Sequence, residues 1–335
     1  MPEAVIVSAA RTPVGRYGGG LSGVRPDDLG ALALSAALER SGLSPDAIED
    51  VYLGCANGAG EDNRNVARMS LLLAGLPHTV PGATVNRLCG SGLDAVNLAA
   101  KSILAGEGHA YLAGGVESMS RAPLVQAKPE RAFQNGNQTL YDSTLGWRFV
   151  NPRMREAYGV EAMGETAENL AAEYGISREA QDAFALESHR KAVRAQVEGR
   201  FEREIVPVEV PGKGGSVTVT ADEGPRAHTT LEALARLRPV FREGGSVTAG
   251  NSSSLNDGAA ALALTSREYA DAHGLAVWAR VRSFGVVGVP PRVMGIGPVG
   301  ASRKALERAG LALCDLHAIE LNEAFAAQAL AVLQD

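Results

Sequence analysis

The chain has 335 residues, more than one hydrophobic core of ordinary size serves, so two or more domains are expected. Apolar residues make up 45% and charged residues 21%, a globular balance that excludes a mostly disordered chain. A net charge of -6 offers no basic footprint for nucleic acid, and the apolar run around Leu71 to Gly75 falls far short of the ~20 residues of a membrane-spanning helix.

Val5 to Ala9 reads as a buried strand. Pro26-Asp27-Asp28 opens a helix that runs through Leu32, Ala36 and Leu38 and stops at Gly42; proline and acids at the start and glycine at the end are the usual boundary signals. Val51 to Leu53 is a second strand, Asn63 to Ala74 a second helix closed by Gly75 and Pro77, and Ala83 to Val85 a third strand. Ser91 to Leu104 is a third helix, with Leu93, Val96, Leu98 and Ile103 on its apolar side, and Ala110 to Val116 a fourth strand. This alternation predicts an α/β fold with a mainly parallel sheet and helices on its faces.

The pattern breaks between about 121 and 245. That stretch carries a loop (Phe133 to Pro152), two helices and a Gly-Lys-Gly-Gly turn at 212 to 215, an interruption of the kind that usually carries function. Strand-like alternation returns at Gly258 to Thr265 and at Val277 to Val287. Ala37-Leu38-Glu39-Arg40-Ser41-Gly42-Leu43, followed by Ala47-Ile48-Glu49, is repeated as Ala305-Leu306-Glu307-Arg308-Ala309-Gly310-Leu311, followed by Ala318-Ile319-Glu320. The first copy continues for about 70 residues to complete its sheet and the second for only 15, so the repeat predicts a chain that stops within its second half.

Three cysteines, Cys55, Cys89 and Cys314, do not make a disulfide framework, and no basic n-region precedes Ala4-Val5-Ile6-Val7, so a cytoplasmic enzyme without a signal peptide is expected. Cysteines and histidines are too dispersed for metal-ligand spacing, and no metal is expected. Asn86-Arg87-Leu88-Cys89-Gly90-Ser91-Gly92-Leu93 is the sharpest local signal. A strand ends, small residues turn the chain, and a helix begins. A cysteine at that junction faces free backbone N–H groups and the positive end of the helix dipole, a setting that favours the nucleophilic thiolate and acyl transfer. Cys55 and Cys314 lack this setting and read as core residues.

Four further segments stand in order: Gly114-Gly115-Val116-Glu117-Ser118-Met119-Ser120, Thr248 to Ala260 (with Asn251-Ser252-Ser253-Ser254), Met294-Gly295-Ile296-Gly297-Pro298, and Asn322-Glu323-Ala324-Phe325-Ala326-Ala327. Together with the Cys89 turn they resemble the thiolases, acyl-CoA acyltransferases, from residue 3 to 335. The resemblance implies a thiolase-like fold of two related βαβαβαβ halves with an inserted loop domain: 1–120 plus 246–275, then 121–245 holding coenzyme A, then 276–335 as a partial second half. It implies that Cys89 attacks the keto carbon of a 3-ketoacyl-CoA, that acetyl-CoA leaves, and that free CoA takes the acyl group from the thioester. Asn322 matches the asparagine that holds an oxyanion-hole water, a donor worth about 3 kcal/mol by analogy; a helix N-cap would need the same residue type. Ser253 matches a serine on the pantetheine arm and Arg226 a basic residue near the adenine end, and Met163, Ala249 and Phe241 complete the implied CoA-binding set. CoA is then a substrate, and no cofactor is expected. Acyl-CoA and CoA are the implied partners, with a homodimer or homotetramer as the assembly.

Tyr141 to Pro152 and Ala162 to Asn169 resemble the 3-oxoadipyl-CoA subgroup; acetoacetyl-CoA thiolases carry a histidine where this chain has Ala162. A 3-oxoadipyl chain ends in a carboxylate, a partner for Arg148 or Arg153. The resemblance also implies a histidine in a Gly-His-Pro segment and a second cysteine in a Cys-x-Gly segment. None of His78, His109, His189, His228, His273 and His317 stands in such a segment, and Cys314 precedes the repeated strand. The sequence therefore predicts a C-terminally truncated thiolase that binds CoA poorly and does not turn over. The readings compared are a 3-ketoacyl-CoA thiolase of aromatic or fatty-acid breakdown, a biosynthetic acetoacetyl-CoA thiolase, and an inactive remnant. A decarboxylating condensing enzyme fits less well, because Asn-Glu-Ala-Phe is a thiolase feature.

Overall fold

A computed structural model describes residues 2–212 and 214–335. The chain opens with β1 (Ala4–Arg11), β2 (Gly15–Arg16), α1 (Pro26–Ser41), β3 (Asp50–Gly54), α2 (Val66–Leu73), β4 (Gly82–Val85), α3 (Ser91–Ala105) and β5 (Ala110–Ser118). Then follow β6 (Leu124–Val125), β7 (Tyr141–Asp142), α4 (Pro152–Tyr158), α5 (Met163–Glu173), α6 (Arg178–Val197), the hairpin β8 (Val208–Gly212) and β9 (Gly215–Val219), and α7 (Leu231–Ala235). The last part holds β10 (Asn256–Ser266), α8 (Arg267–Ala272), β11 (Ala279–Arg280), α9 (Gly297–Ala309) and α10 (Ala326–Gln334).

The central sheet runs in the order β11-β1-β10-β5-β3-β4, with β2 beside β10. β3 pairs in parallel with β4 and β5, whereas β10 lies antiparallel between β1 and β5. The sheet is thus mixed, a correction to the mainly parallel sheet expected. β1, β3, β4 and β5 do share one direction, and the returning β10 wedges between them from far along the chain. Apolar alternation announces a strand there but says nothing of its direction.

The alternation sorts the two faces. Val5, Val7, Val51, Leu53, Leu112, Ala261 and Ala263 pack beneath α1 and α2, with Leu29, Leu34 and Leu71 fully buried. Ala4, Tyr111, Ala113 and Leu264, one residue out of phase, meet Ala99, Ala100 and Ile103 of α3. Each such leucine or isoleucine contributes about 1.5–3 kcal/mol by leaving water. The buried stripe of α3 is Ala95, Ala99, Ala100 and Ile103, and Leu93, expected inside, is 69% exposed. Small side chains let α3 lie close on the sheet, so its larger Leu93 is left at the rim.

The helix repeat has a structural counterpart. α1 and α9 both end on a left-handed glycine, Gly42 at φ 72° and Gly310 at φ 67°, and both are followed by a 3-10 turn. Beyond it the copies differ: Ile48 is buried against the sheet, whereas Ile319 is 60% exposed on a segment with no paired strand among the described residues.

Other expectations need correction. α2 starts at Val66 rather than Asn63, because Asn63 and Arg64 take positive φ and Asn65 caps the helix by accepting from the Arg68 N–H. Of the strand expected over Val277 to Val287 only Ala279–Arg280 forms a strand, beside β1, with the Trp278 N–H donating to the Ile6 carbonyl and the Val281 N–H to the Ala4 carbonyl at 2.9 Å each. Among the described residues, 121–245 hold four helices and two small hairpins rather than two helices and a loop. The Gly-Lys-Gly-Gly turn joins β8 to β9, with its Lys213 outside the described residues. Cys314, expected in the core, is exposed in the 3-10 turn Leu313–Asp315, whereas Cys55 is buried as expected. No helix among the described residues is long and apolar enough to cross a membrane.

Candidate active site

Cys89 is exposed one residue before Gly90, which caps α3. The turn that carries it is fixed by its neighbours. Ser91 Oγ donates to the Leu88 carbonyl at 2.6 Å and accepts from the Arg87 N–H at 2.8 Å, and Asn86 Oδ1 accepts from the Leu88 N–H at 2.9 Å. Leu88 takes φ 50°, so the chain reverses sharply and leaves the next side chain outside. Arg87 Nε donates to Asp94 Oδ2 at 2.8 Å, tying the turn to the first turn of α3. Gly54 at the end of β3 makes the close approach possible: a Cβ there would stand 2.3 Å from the Ser91 carbonyl carbon. The helix N-terminus therefore rests directly on backbone.

Behind this turn lies a buried group that sequence spacing could not reveal. Cys55, Asp62 and Glu117 bring three metal-capable atoms together, with Cys55 Sγ 3.7 Å from each carboxylate. Only the tertiary fold joins positions 55, 62 and 117, and the expectation drawn from the spacing of cysteines and histidines did not consider carboxylates. Glu117 Oε2 also accepts the Ala56 N–H at 2.7 Å. Burial, then the neighbouring carboxylates, pushes the Cys55 thiol up, which makes it a poor nucleophile.

Burial likewise holds the Glu117 carboxyl above the usual range. The folded chain then binds that proton more tightly than the unfolded chain. Its stabilising contribution is complete below the ordinary carboxylate range and is lost as pH rises through the raised value. Glu117→Gln is expected to match the parent in thermal unfolding at about pH 4 and to exceed it at about pH 8. Melting curves across that range check this; equal stability at every pH would contradict it.

The Thr248 to Ala260 and Asn-Glu-Ala-Phe segments meet. Ser253 N–H donates to the Ala324 carbonyl at 2.9 Å, and Ala326 N–H to the Asn251 carbonyl at 2.9 Å. Ser253 and Asn322 are both exposed beside this contact; the cap of α10 is Phe325, so Asn322 is not its N-cap. Phe241 stands edge-on to Phe325 with ring centroids 6.1 Å apart, and its ring fills the space against Gly164 where a Cβ would sit. Met163 and Ala249 are exposed on the flanking segments. Five of the expected residues, Met163, Phe241, Ala249, Ser253 and Asn322, thus share one neighbourhood.

Three residues that organise it were missed. Glu168, 4% exposed, accepts from the Ser246 N–H at 2.8 Å and the Val247 N–H at 2.7 Å. Asn251 accepts from the Thr248 N–H and donates to Asp182 Oδ1 at 3.0 Å, and Arg178 Nε holds Asp182 Oδ2 at 2.8 Å. Glu168 and Asn251 stand inside motifs the sequence singled out, but only their burial marks them as clamps.

Arg226 is exposed in a cleft of about 450 Å³, lined also by His189, Arg190, Arg194 and Thr229. Burial and the Arg226 charge hold the His189 ring below its usual range, so its neutral Nδ1 accepts the Arg226 N–H at 3.2 Å. Next to His189, Ser188 Oγ donates to Glu323 at 2.5 Å, linking this cleft wall to the Asn-Glu-Ala-Phe segment.

Residues 4–268 match the family model for the thiolase N-terminal domain and residues 275–335 that for the thiolase C-terminal domain. The chain belongs to the thiolase family. A beta-ketoadipyl-CoA thiolase of Pseudomonas aeruginosa is 57% identical over 99% of this chain and 83% of its own length. A 3-oxoadipyl-CoA/3-oxo-5,6-dehydrosuberyl-CoA thiolase of Escherichia coli is 55% identical over 100% of this chain and 84% of its own. The crystal structure of a Bacillus anthracis acetyl-CoA acetyltransferase superposes with a TM-score of 0.94 at 42% identity, over 100% of this chain and 83% of that one. The thiolase fold and acyltransferase class are as expected. The expectation of a truncated chain with an incomplete second half is not borne out, since both domain models match. The sequence carries no Gly-His-Pro segment.

Proposed function

We propose that this thiolase cleaves 3-oxoadipyl-CoA with free CoA, giving acetyl-CoA and succinyl-CoA through an acyl group on Cys89. The observation that carries the proposal is the exposed Cys89 on a hydrogen-bonded turn at the start of α3, while Cys55 is buried between carboxylates. The Cys89 sulfur forms a bond to the keto carbon, and the bond between that carbon and the next toward the thioester breaks. The departing acetyl-CoA enolate takes a proton, and the CoA thiol then displaces Cys89 from the acyl group.

Asn322 would hold a water for the enolate oxygen. Ser253, Ala249, Met163 and Phe241 would line the pantetheine arm, and Arg226 with Arg190 and Arg194 would meet the phosphate end. CoA is a substrate in this reading, and no cofactor is needed. The names of the relatives at 55–57% identity support the substrate, as does Ala162. A homodimer or homotetramer in the cytoplasm belongs to the same reading. The outer edge of β4 and the 68% and 69% exposed Leu88 and Leu93 support pairing of subunits there.

The test is thiolysis of 3-oxoadipyl-CoA and acetoacetyl-CoA side by side with free CoA. A higher kcat/KM on 3-oxoadipyl-CoA is expected. A preference for acetoacetyl-CoA would favour the biosynthetic reading, and cleavage of neither would refute both.

A further inference from the structure

We infer that Arg148 selects acyl-CoA substrates that end in a carboxylate, by pairing its guanidinium with that terminal group. The inference rests on the thiolase reading above and names the residue that sets its substrate class.

Arg148 lies in the loop between β7 and α4, half-buried. Its one hydrogen bond is a long one, Nη1 to the Ser143 carbonyl at 3.4 Å, and no carboxylate pairs with it among the described residues. Three other arginines differ: Arg25 holds Asp27 and Glu61, Arg87 holds Asp94, and Arg121 holds Glu61. A guanidinium half removed from water with no anion is unfavourable, and most of its donors remain to be used.

The loop is also tied to the Cys89 turn. Ser143, 4% exposed, is held by Asn57, whose Nδ2 donates to its carbonyl at 3.3 Å and to its Oγ at 3.1 Å. The residue before Asn57, Ala56, offers its carbonyl to Asn86 Nδ2 at 2.9 Å, and Asn86 Oδ1 accepts the Leu88 N–H beside Cys89. A short run of hydrogen bonds thus joins the seat of Arg148 to the turn that carries the thiol. In a 3-oxoadipyl chain the carboxylate carbon is only three carbon–carbon bonds beyond the keto carbon that Cys89 attacks, so a guanidinium that recognises it belongs on a segment tied to the Cys89 turn. Arg153 has no such seat: it is exposed on α4, and among the described residues only its backbone N–H is engaged, by Asn151 Oδ1.

The test uses the full chain and two esters without a 3-keto group, which cannot be cleaved: adipyl-CoA, with a terminal carboxylate, and hexanoyl-CoA, without one. Isothermal titration gives each Kd for the parent, Arg148→Gln and Arg153→Gln. The parent is expected to bind adipyl-CoA about tenfold more tightly, the scale of one charge-assisted pair. Arg148→Gln should abolish the preference while leaving the hexanoyl-CoA Kd unchanged, and Arg153→Gln should retain it. Equal affinities in the parent, a preference that survives Arg148→Gln, or equal weakening of both esters would overturn the inference and leave the thiolase reading standing. Binding of neither ester by the parent would overturn the thiolase reading itself.

Discussion

Cys89→Ala removes thiolysis, lowering kcat by about 10,000-fold or more, the scale on which losing a nucleophile acts in other covalent enzymes. The substitution takes away a sulfur that is exposed and carries no packing load, so the fold is expected to persist. Ser91, Asn86 and Asp94 hold the turn without it. Cys314→Ala removes the other exposed thiol and is expected to leave the rate unchanged, because that residue sits in a 3-10 turn remote in sequence from every site segment except Asn322. Initial rates of the two variants, with unfolding curves to show intact structure, check this pair. A Cys89→Ala protein with the parent's rate would mean that another group carries the acyl chain.

Glu168→Ala lowers the unfolding free energy by about 3–5 kcal/mol, the cost of orphaning several buried donors at once. The carboxylate gathers the Ser246 N–H, the Val247 N–H and the Ser246 hydroxyl. Gly245 allows this because a Cβ there would stand 2.3 Å from Glu168 Oε1. Water cannot easily replace the carboxylate, since Val247 is fully buried. The segment so released leads to Asn251 and Ser253, which hydrogen-bond to the segment carrying Asn-Glu-Ala-Phe and to Ala326 after it. CoA affinity is therefore expected to fall together with stability. Glu168→Gln keeps one acceptor oxygen and should fall between parent and alanine. Urea unfolding of the three proteins measures the order; a Glu168→Ala curve that overlays the parent would show that the loop finds other partners.

The elements that local chemistry specifies were legible in the sequence. α1 announces itself through Pro26, two acids and a terminal glycine, and the alternating residues of β1, β5 and β10 sort themselves onto two faces. The Cys89 turn was legible for the same reason: a strand end, a tight small-residue turn and a helix start are all short-range signals. What was not legible depends on partners distant in sequence. The direction of β10 is set by its neighbours β1 and β5, and Val277 to Val287 alternates like a strand yet pairs at only two residues. Leu93 was misplaced because the close seating of α3 on Gly54 favours alanines beneath it. At the site, Glu168, Asp182 and the Cys55–Glu117 group are chemically ordinary residue types. Burial and long-range hydrogen bonds give them their roles.

The most direct measurement of the central claim is the site of covalent acylation. The full chain is incubated with 3-oxoadipyl-CoA without free CoA. It is then quenched in acid, digested and mapped by mass spectrometry. A succinyl group on the Cys89 peptide, discharged when CoA is added before the quench, is the result this account predicts. A chain that stays unmodified at Cys89, or that carries the acyl group on Cys55 or Cys314 instead, would contradict it.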